Sequence, residues 1–196
     1  MKKIFVTIIL IVSAGQAIIA QPDARNMLPA KKVGHTPPKD QAATSTCWSF
    51  ATTSLVESHT MALGFGEFDL SEMFTVRNIY REKAKNYVLR QGSARFSPGG
   101  LGHDVVHSIE TYGAVPEQVY PGLLLGKKSH DHDHLDQKLK SYLDNVIKTK
   151  PFPEDWLTGF EAILDDYLGK VPQTFTYREK SYTPLSFAQE VLRFKA

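Results

Sequence analysis

From residue 47 onwards the chain repeats one pattern: apolar side chains at three- and four-residue spacing, each run closed by glycine or proline. That spacing puts them on one face of a 3.6-residue helix, and the breakers set where each helix must stop. The first run, Cys47 to Leu63, carries Phe50, Ala51, Ser54, Leu55, Ser58 and Ala62 and ends at Gly64. It reads as a buried central helix with Ser45 or Thr46 as its cap. Ser71 caps a second helix with Met73, Phe74, Val76, Ile79 and Tyr80 on one side, running to about Arg90; its many charges read as a solvated face. A third, His103 to Tyr112, follows the Pro98-Gly99-Gly100 break and closes at Gly113. Asp133 to Lys148 and Glu154 to Leu168 are two more, split by Pro151 and Pro153. The aromatic stripe of the latter (Trp156, Phe160, Tyr167) reads as core. Alternation over Thr174 to Tyr182 predicts one strand or a short hairpin, and Thr183-Pro184 starts a last helix. The chain is therefore expected to be mainly α, with little strand.

The first twenty residues read as a secretory signal: Lys2 and Lys3, an apolar run from Ile4 to Val12, then small residues around Ala20. The run is too short for a convincing membrane span. Residues 21–40, rich in Pro, Lys and Ala, are expected to form an extended leader, and residues 41–196 one domain. The expectation is a protein exported from a bacterial cell, periplasmic or secreted. The whole chain carries 23 basic and 21 acidic residues. The two lysines of the signal account for the surplus, and a nucleic-acid binder would show a basic excess. One cysteine rules out an intramolecular disulfide framework, so a lone thiol in an exported chain is better explained by use than by stapling.

That cysteine, Cys47, stands where the first helix begins, with Gln41 six positions before it and Trp48 directly after. A thiol attacks as its thiolate, and a helix N-terminus favours negative charge. The Gln41 amide and the Cys47 backbone N–H are the donor types that hold an oxyanion formed by attack on a carbonyl. Taken alone, a single cysteine is more often a small buried hydrophobe, and Gly99-Gly100 is merely a turn. His130, Asp131, His132, Asp133 and His134 alternate as metal ligands do, but no second His or Cys cluster completes a site, so no metal or cofactor is expected. His103 and His107 share a helix face suited to packing or cleft lining, and His59 reads as a core or boundary residue.

Gln41, five residues, Cys47, Trp48, Ser49 and Phe50 together resemble the active-site helix of papain-like cysteine peptidases. Gly99-Gly100, eleven residues, Tyr112-Gly113 and Pro116 are similar to the bleomycin hydrolase and aminopeptidase C branch. The resemblance implies that this is the helical half of an α+β peptidase fold. Cys47 is then the nucleophile and Gln41 the oxyanion-hole side chain. Gly99 and Gly100 bind the substrate backbone, with Leu101 and Trp48 lining the adjoining cleft. Many relatives carry a second cysteine three residues before the nucleophile; here Thr44 stands there, so that cross-link is absent. Leu101-Gly102 replaces a bulky polar-aromatic pair, which points to a different specificity. Relatives assemble into hexamers, so the full-length form is a candidate homo-oligomer with peptide as its substrate.

Cysteine catalysis needs a histidine base oriented by Asn or Asp, placed in the papain pattern about 130–150 residues after the nucleophile. The last histidine here is His134. The β-rich half that supplies His and Asn is thus expected to be missing, and the isolated chain to be inactive or nearly so. The alternatives are a non-catalytic remnant that binds peptides and a scaffold or inhibitor-like protein.

Overall fold

The computed structural model describes residues 33–124 and 127–195. The expected signal and the leader up to residue 32 lie outside them. The described residues form six helices and one hairpin: α1 Cys47–Ala62, α2 Glu72–Leu89, α3 Gly102–Tyr112, α4 Asp133–Lys148, α5 Trp156–Leu168, β1 Phe175–Tyr177, β2 Lys180–Tyr182 and α6 Pro184–Glu190. Mainly α is therefore the observed class, with five of the six helices at or near the expected bounds because their Gly and Pro stops are unambiguous. The α5 helix starts two residues later than expected.

The central element is α2, not α1. Its first nine residues, Glu72 to Tyr80, are buried on all sides, because α1, α3, α4 and α5 all pack against it. Ser71 starts it by accepting from the Phe74 N–H and donates its own hydroxyl to the Tyr120 carbonyl. Met73, Phe74, Val76, Ile79 and Tyr80 meet Val105 and Ile109 of α3, Leu135, Leu139 and Leu143 of α4, and Phe160 and Leu164 of α5. Full burial of such side chains stabilises by about 1.5–3 kcal/mol each, so this layer dominates the energetics. The expected solvated face of α2 is a partial correction. Arg77 and Arg81 bond to Asp165 and Glu161 of α5, so those charges seam two helices together.

The hairpin pairs Phe175 with Tyr182 and turns at Arg178 and Glu179, both left-handed (φ 46° and 68°), as a tight two-residue turn requires. Thr183 caps α6, whose Phe187 packs edge-on against Phe68, Phe175, Tyr177 and Tyr182.

Candidate active site

Cys47 is exposed at the first position of α1. The Ser49 and Phe50 N–H groups close on the Thr46 carbonyl, so the helix is fully wound one residue beyond the thiol. A first-position N–H has no intrahelical acceptor, and the Cys47 amide is thus available to a ligand. Thr46 is the N-cap residue as expected, but its hydroxyl does not cap the helix. It bonds instead to the Thr44 hydroxyl at 2.6 Å.

The loop from Gln41 to Thr46 is tightly made. The Thr44 hydroxyl donates to the Gln41 carbonyl at 2.9 Å, and Asp40 accepts from the Ala42 N–H at 2.8 Å. Ala42 and Ser45 are both left-handed, at φ 51° and 55°, a conformation that non-glycine residues hold only when their surroundings impose it. From outside, the His-rich run clamps the loop by a parallel bridge: Ala43 N–H to the His130 carbonyl at 3.3 Å and His132 N–H to the Ala43 carbonyl at 2.9 Å. Gln41 turns its side-chain oxygen inward, where it is buried with no partner among the described residues.

Trp48 joins this loop to the glycine pair. Its indole N–H donates to the Pro98 carbonyl at 3.0 Å, and the indole lies directly against Gly100. A Cβ on Gly100 would fall 2.6 Å from the ring, whereas one on Gly99 would meet nothing within 4 Å. Lys83 of α2 holds the same turn, donating to the Ser97 and Gly99 carbonyls, with its ammonium 5.8 Å from the indole centre. Asp104 accepts from the Leu101 N–H at 2.8 Å and fixes the exit into α3. Leu101 itself is 62% exposed. The fold therefore brings Cys47, Trp48, Gly99, Gly100 and Leu101 to one region from α1 and the α2–α3 connection. Lys83 and Asp104 were missed in the sequence because a charge on a charge-rich helix carries no mark of what it holds.

The expectation for the buried face of α1 needs correction. Ala51, Ser54, Leu55, Ala62 and Leu63 are exposed, and the buried side is Trp48, Ser49, Thr53, Val56, Glu57 and Thr60. The reason is polar. Glu57 takes the Leu70 N–H and the Thr36 hydroxyl, and Ser49 donates to the Glu72 carbonyl, so the hydroxylic stripe satisfies the turn into α2. The exposed stripe starts at Cys47 and leads to an apolar groove of about 820 Å³ lined by Leu55, Leu63, Phe65, Leu192 and Phe194. His59 lies exposed in that groove rather than in the core.

Residues 33–40 carry no helix or strand; they contact α1 through the Thr36 hydroxyl on Glu57 and are anchored by Lys39. Its ammonium lies 2.6 Å from Asp69, 2.8 Å from Glu72 and 3.5 Å from Glu57. Burial works against its charge, but the bonds to Asp69 and Glu72 outweigh it and hold the lysine well above its ordinary range. Glu117, facing the same acids, is pushed up to about 7 by burial and then by the Glu72 charge.

The remaining histidines have other surroundings. His103 lies 3.5 Å from Asp104, and His107 is 3.4 Å from the Thr111 hydroxyl. His132 is 3% exposed, its ring nitrogens have no partner among the described residues, and burial followed by His130 lowers it to about 4. Among the described residues no group of three or more His, Cys, Asp or Glu is arranged to hold a metal ion.

No family model and no curated protein matches the chain. Among solved structures, PepW from Lactobacillus rhamnosis HN001 is similar in fold, with a TM-score of 0.60 at 20% identity. The likeness covers 86% of this chain and 47% of PepW, so the chain spans about half the length of that structure. What the likeness shows is a shared, mainly α fold.

Proposed function

We propose that this chain is the nucleophile-bearing half of an exported papain-like cysteine peptidase of the bleomycin hydrolase and aminopeptidase C kind, acting on peptides. The observation that carries the reading is an exposed cysteine at the first turn of a sixteen-residue helix, its neighbour Trp48 packed against Gly100. The fold-level likeness to PepW supports it.

In this reading an extended peptide lies along Gly99 and Gly100, where the bare backbone lets it approach. The Cys47 thiolate attacks the scissile carbonyl; the C–S bond forms as the carbonyl π pair moves to oxygen. The Gln41 amide nitrogen and the Cys47 N–H donate to that oxyanion. When the C–N bond breaks, the leaving amine takes the proton that a histidine removed from the thiol. We assign that histidine, and the Asn that orients it, to the β-rich half that such enzymes carry. In the full-length form a homo-oligomer is part of the proposal.

A second reading, a chain that binds peptides without cutting them, is favoured by one observation. Among the described residues no histidine hydrogen-bonds to Cys47, and His103 and His107 have Asp104 and Thr111 beside them. Two assays on the full chain separate the readings. A peptidyl chloromethyl ketone should alkylate Cys47, detected by mass spectrometry and competed by free peptide. Peptide turnover should be absent or nearly so. Failure to label Cys47 overturns the peptidase reading. Turnover abolished by Cys47→Ser eliminates the non-catalytic one and places a base within this chain.

A further inference from the structure

Two donors must face one oxygen in the proposed site, the Gln41 amide and the Cys47 N–H. They are joined by a loop whose preferred conformations do not put them there. Ala42 and Ser45 both sit in the left-handed region, where a Cβ is disfavoured, so something must hold the loop against relaxation. The buried contacts within it name the brace. The Thr44 hydroxyl has one proton, and it goes to the Gln41 carbonyl at 2.9 Å. In the 2.6 Å contact between Thr44 and Thr46 the donor must then be Thr46. The result is a one-way chain: Thr46 hydroxyl to Thr44 hydroxyl to Gln41 carbonyl. It runs from the residue that starts α1 to the residue that carries the amide. Thr44 is 1% exposed and Thr46 fully buried, so water does not compete for these bonds.

We infer that Thr44 is a positioning residue of the Cys47 oxyanion site, fixing Gln41 relative to the first turn of α1; this rests on the peptidase reading. Thr44 touches no substrate. It acts through the backbone of Gln41, and the Ala43 bridge to His130 and His132 holds the loop from its other side. Replacing Thr44 by valine keeps shape and volume but strips the Gln41 carbonyl and the Thr46 hydroxyl of their partner at once. The strained residues between them are then free to relax, and the amide swings from its target.

A dipeptide aldehyde reads the site without needing a leaving group. The Cys47 sulfur bonds to the aldehyde carbon, the carbonyl pair moves to oxygen, and the thiol proton ends on that oxygen, leaving a hemithioacetal held by the two donors. Its dissociation constant is measured on the full chain by 13C NMR of the labelled aldehyde, after circular dichroism melting confirms that each variant is folded. Thr44→Val should weaken the adduct about tenfold, the scale of a lost buried hydrogen bond. Thr44→Ser, which keeps both bonds, should stay within about twofold. In a Gln41→Ala background the Thr44→Val effect should vanish, since Thr44 then has nothing to position. Equal affinity of Thr44→Val and the parent, or an undiminished loss in the Gln41→Ala background, overturns the inference while leaving the peptidase reading intact. Absence of any Cys47 adduct in the parent chain overturns both. Should Thr44→Val not fold, Thr46→Val carries the test. It removes only the upstream hydroxyl, and about threefold weakening is expected; no change overturns the brace.

Discussion

The two glycines of the cleft wall are predicted to respond oppositely to the same methyl group. At Gly100 a Cβ would stand 2.6 and 2.7 Å from the Trp48 ring and 3.0 Å from an Asp104 carboxylate oxygen. Neither neighbour moves freely. The indole is buried and bonded to the Pro98 carbonyl, Asp104 is tied to the Leu101 N–H, and Lys83 pins the carbonyls of Ser97 and Gly99. Overpacking a site that cannot yield costs about 1–3 kcal/mol. For a domain of this size that lowers Tm by roughly 2–10 °C. At Gly99 the added Cβ meets nothing within 4 Å, and its φ is not left-handed. There the change should be neutral, or stabilising by about 0.4–1 kcal/mol through the unfolded chain. Urea unfolding followed by tryptophan fluorescence measures both, because Trp48 is one of two tryptophans and reports the displaced contact. Gly100→Ala should also slow labelling of Cys47 by a peptidyl reagent more than by iodoacetamide. Equal stability of the two variants would refute the packing of Trp48 under this turn.

Lys39→Met should destabilise by about 3 kcal/mol, since it leaves the carboxylates of Glu57 and Glu72 buried without their cation; the urea midpoint at neutral pH checks it. His132 gives a pH prediction with a definite sign. Its folded value of about 4 lies below the ordinary 6.5, so the unfolded chain binds the extra proton, and stability falls as pH drops from 6.5 towards 4. The full effect is about 3 kcal/mol. Glu117, raised to about 7, works in the opposite direction over nearly the same window. The test is therefore a comparison: His132→Leu should gain on its parent as pH falls from 7 to 4.5, and a constant difference would contradict a buried neutral imidazole.

The positions of the helices were legible because their punctuation was. Gly64, Gly113 and Gly169 close α1, α3 and α5, and Ser71 and Thr183 open α2 and α6, all by local rules that tertiary contacts did not override. The orientation of α1 was not legible. Ala51, Leu55 and Ala62 follow the apolar period, yet the helix buries Ser49, Thr53, Glu57 and Thr60, spaced four, four and three apart. A hydroxylic stripe at helical spacing was itself a signal, but its acceptors, the Glu72 carbonyl and the turn before α2, are set only by the fold. The same holds for Thr44. In the sequence it marks an absent cross-link, and only the structure shows what its hydroxyl joins.

The central claim is that Cys47 stands as an accessible nucleophile beside a peptide-binding cleft, and its alkylation rate tests that most directly. A peptidyl chloromethyl ketone should modify Cys47 in the folded chain faster than in the same chain unfolded in concentrated urea, where the cleft and its neighbours are gone. A folded-state rate equal to or below the unfolded one would contradict it.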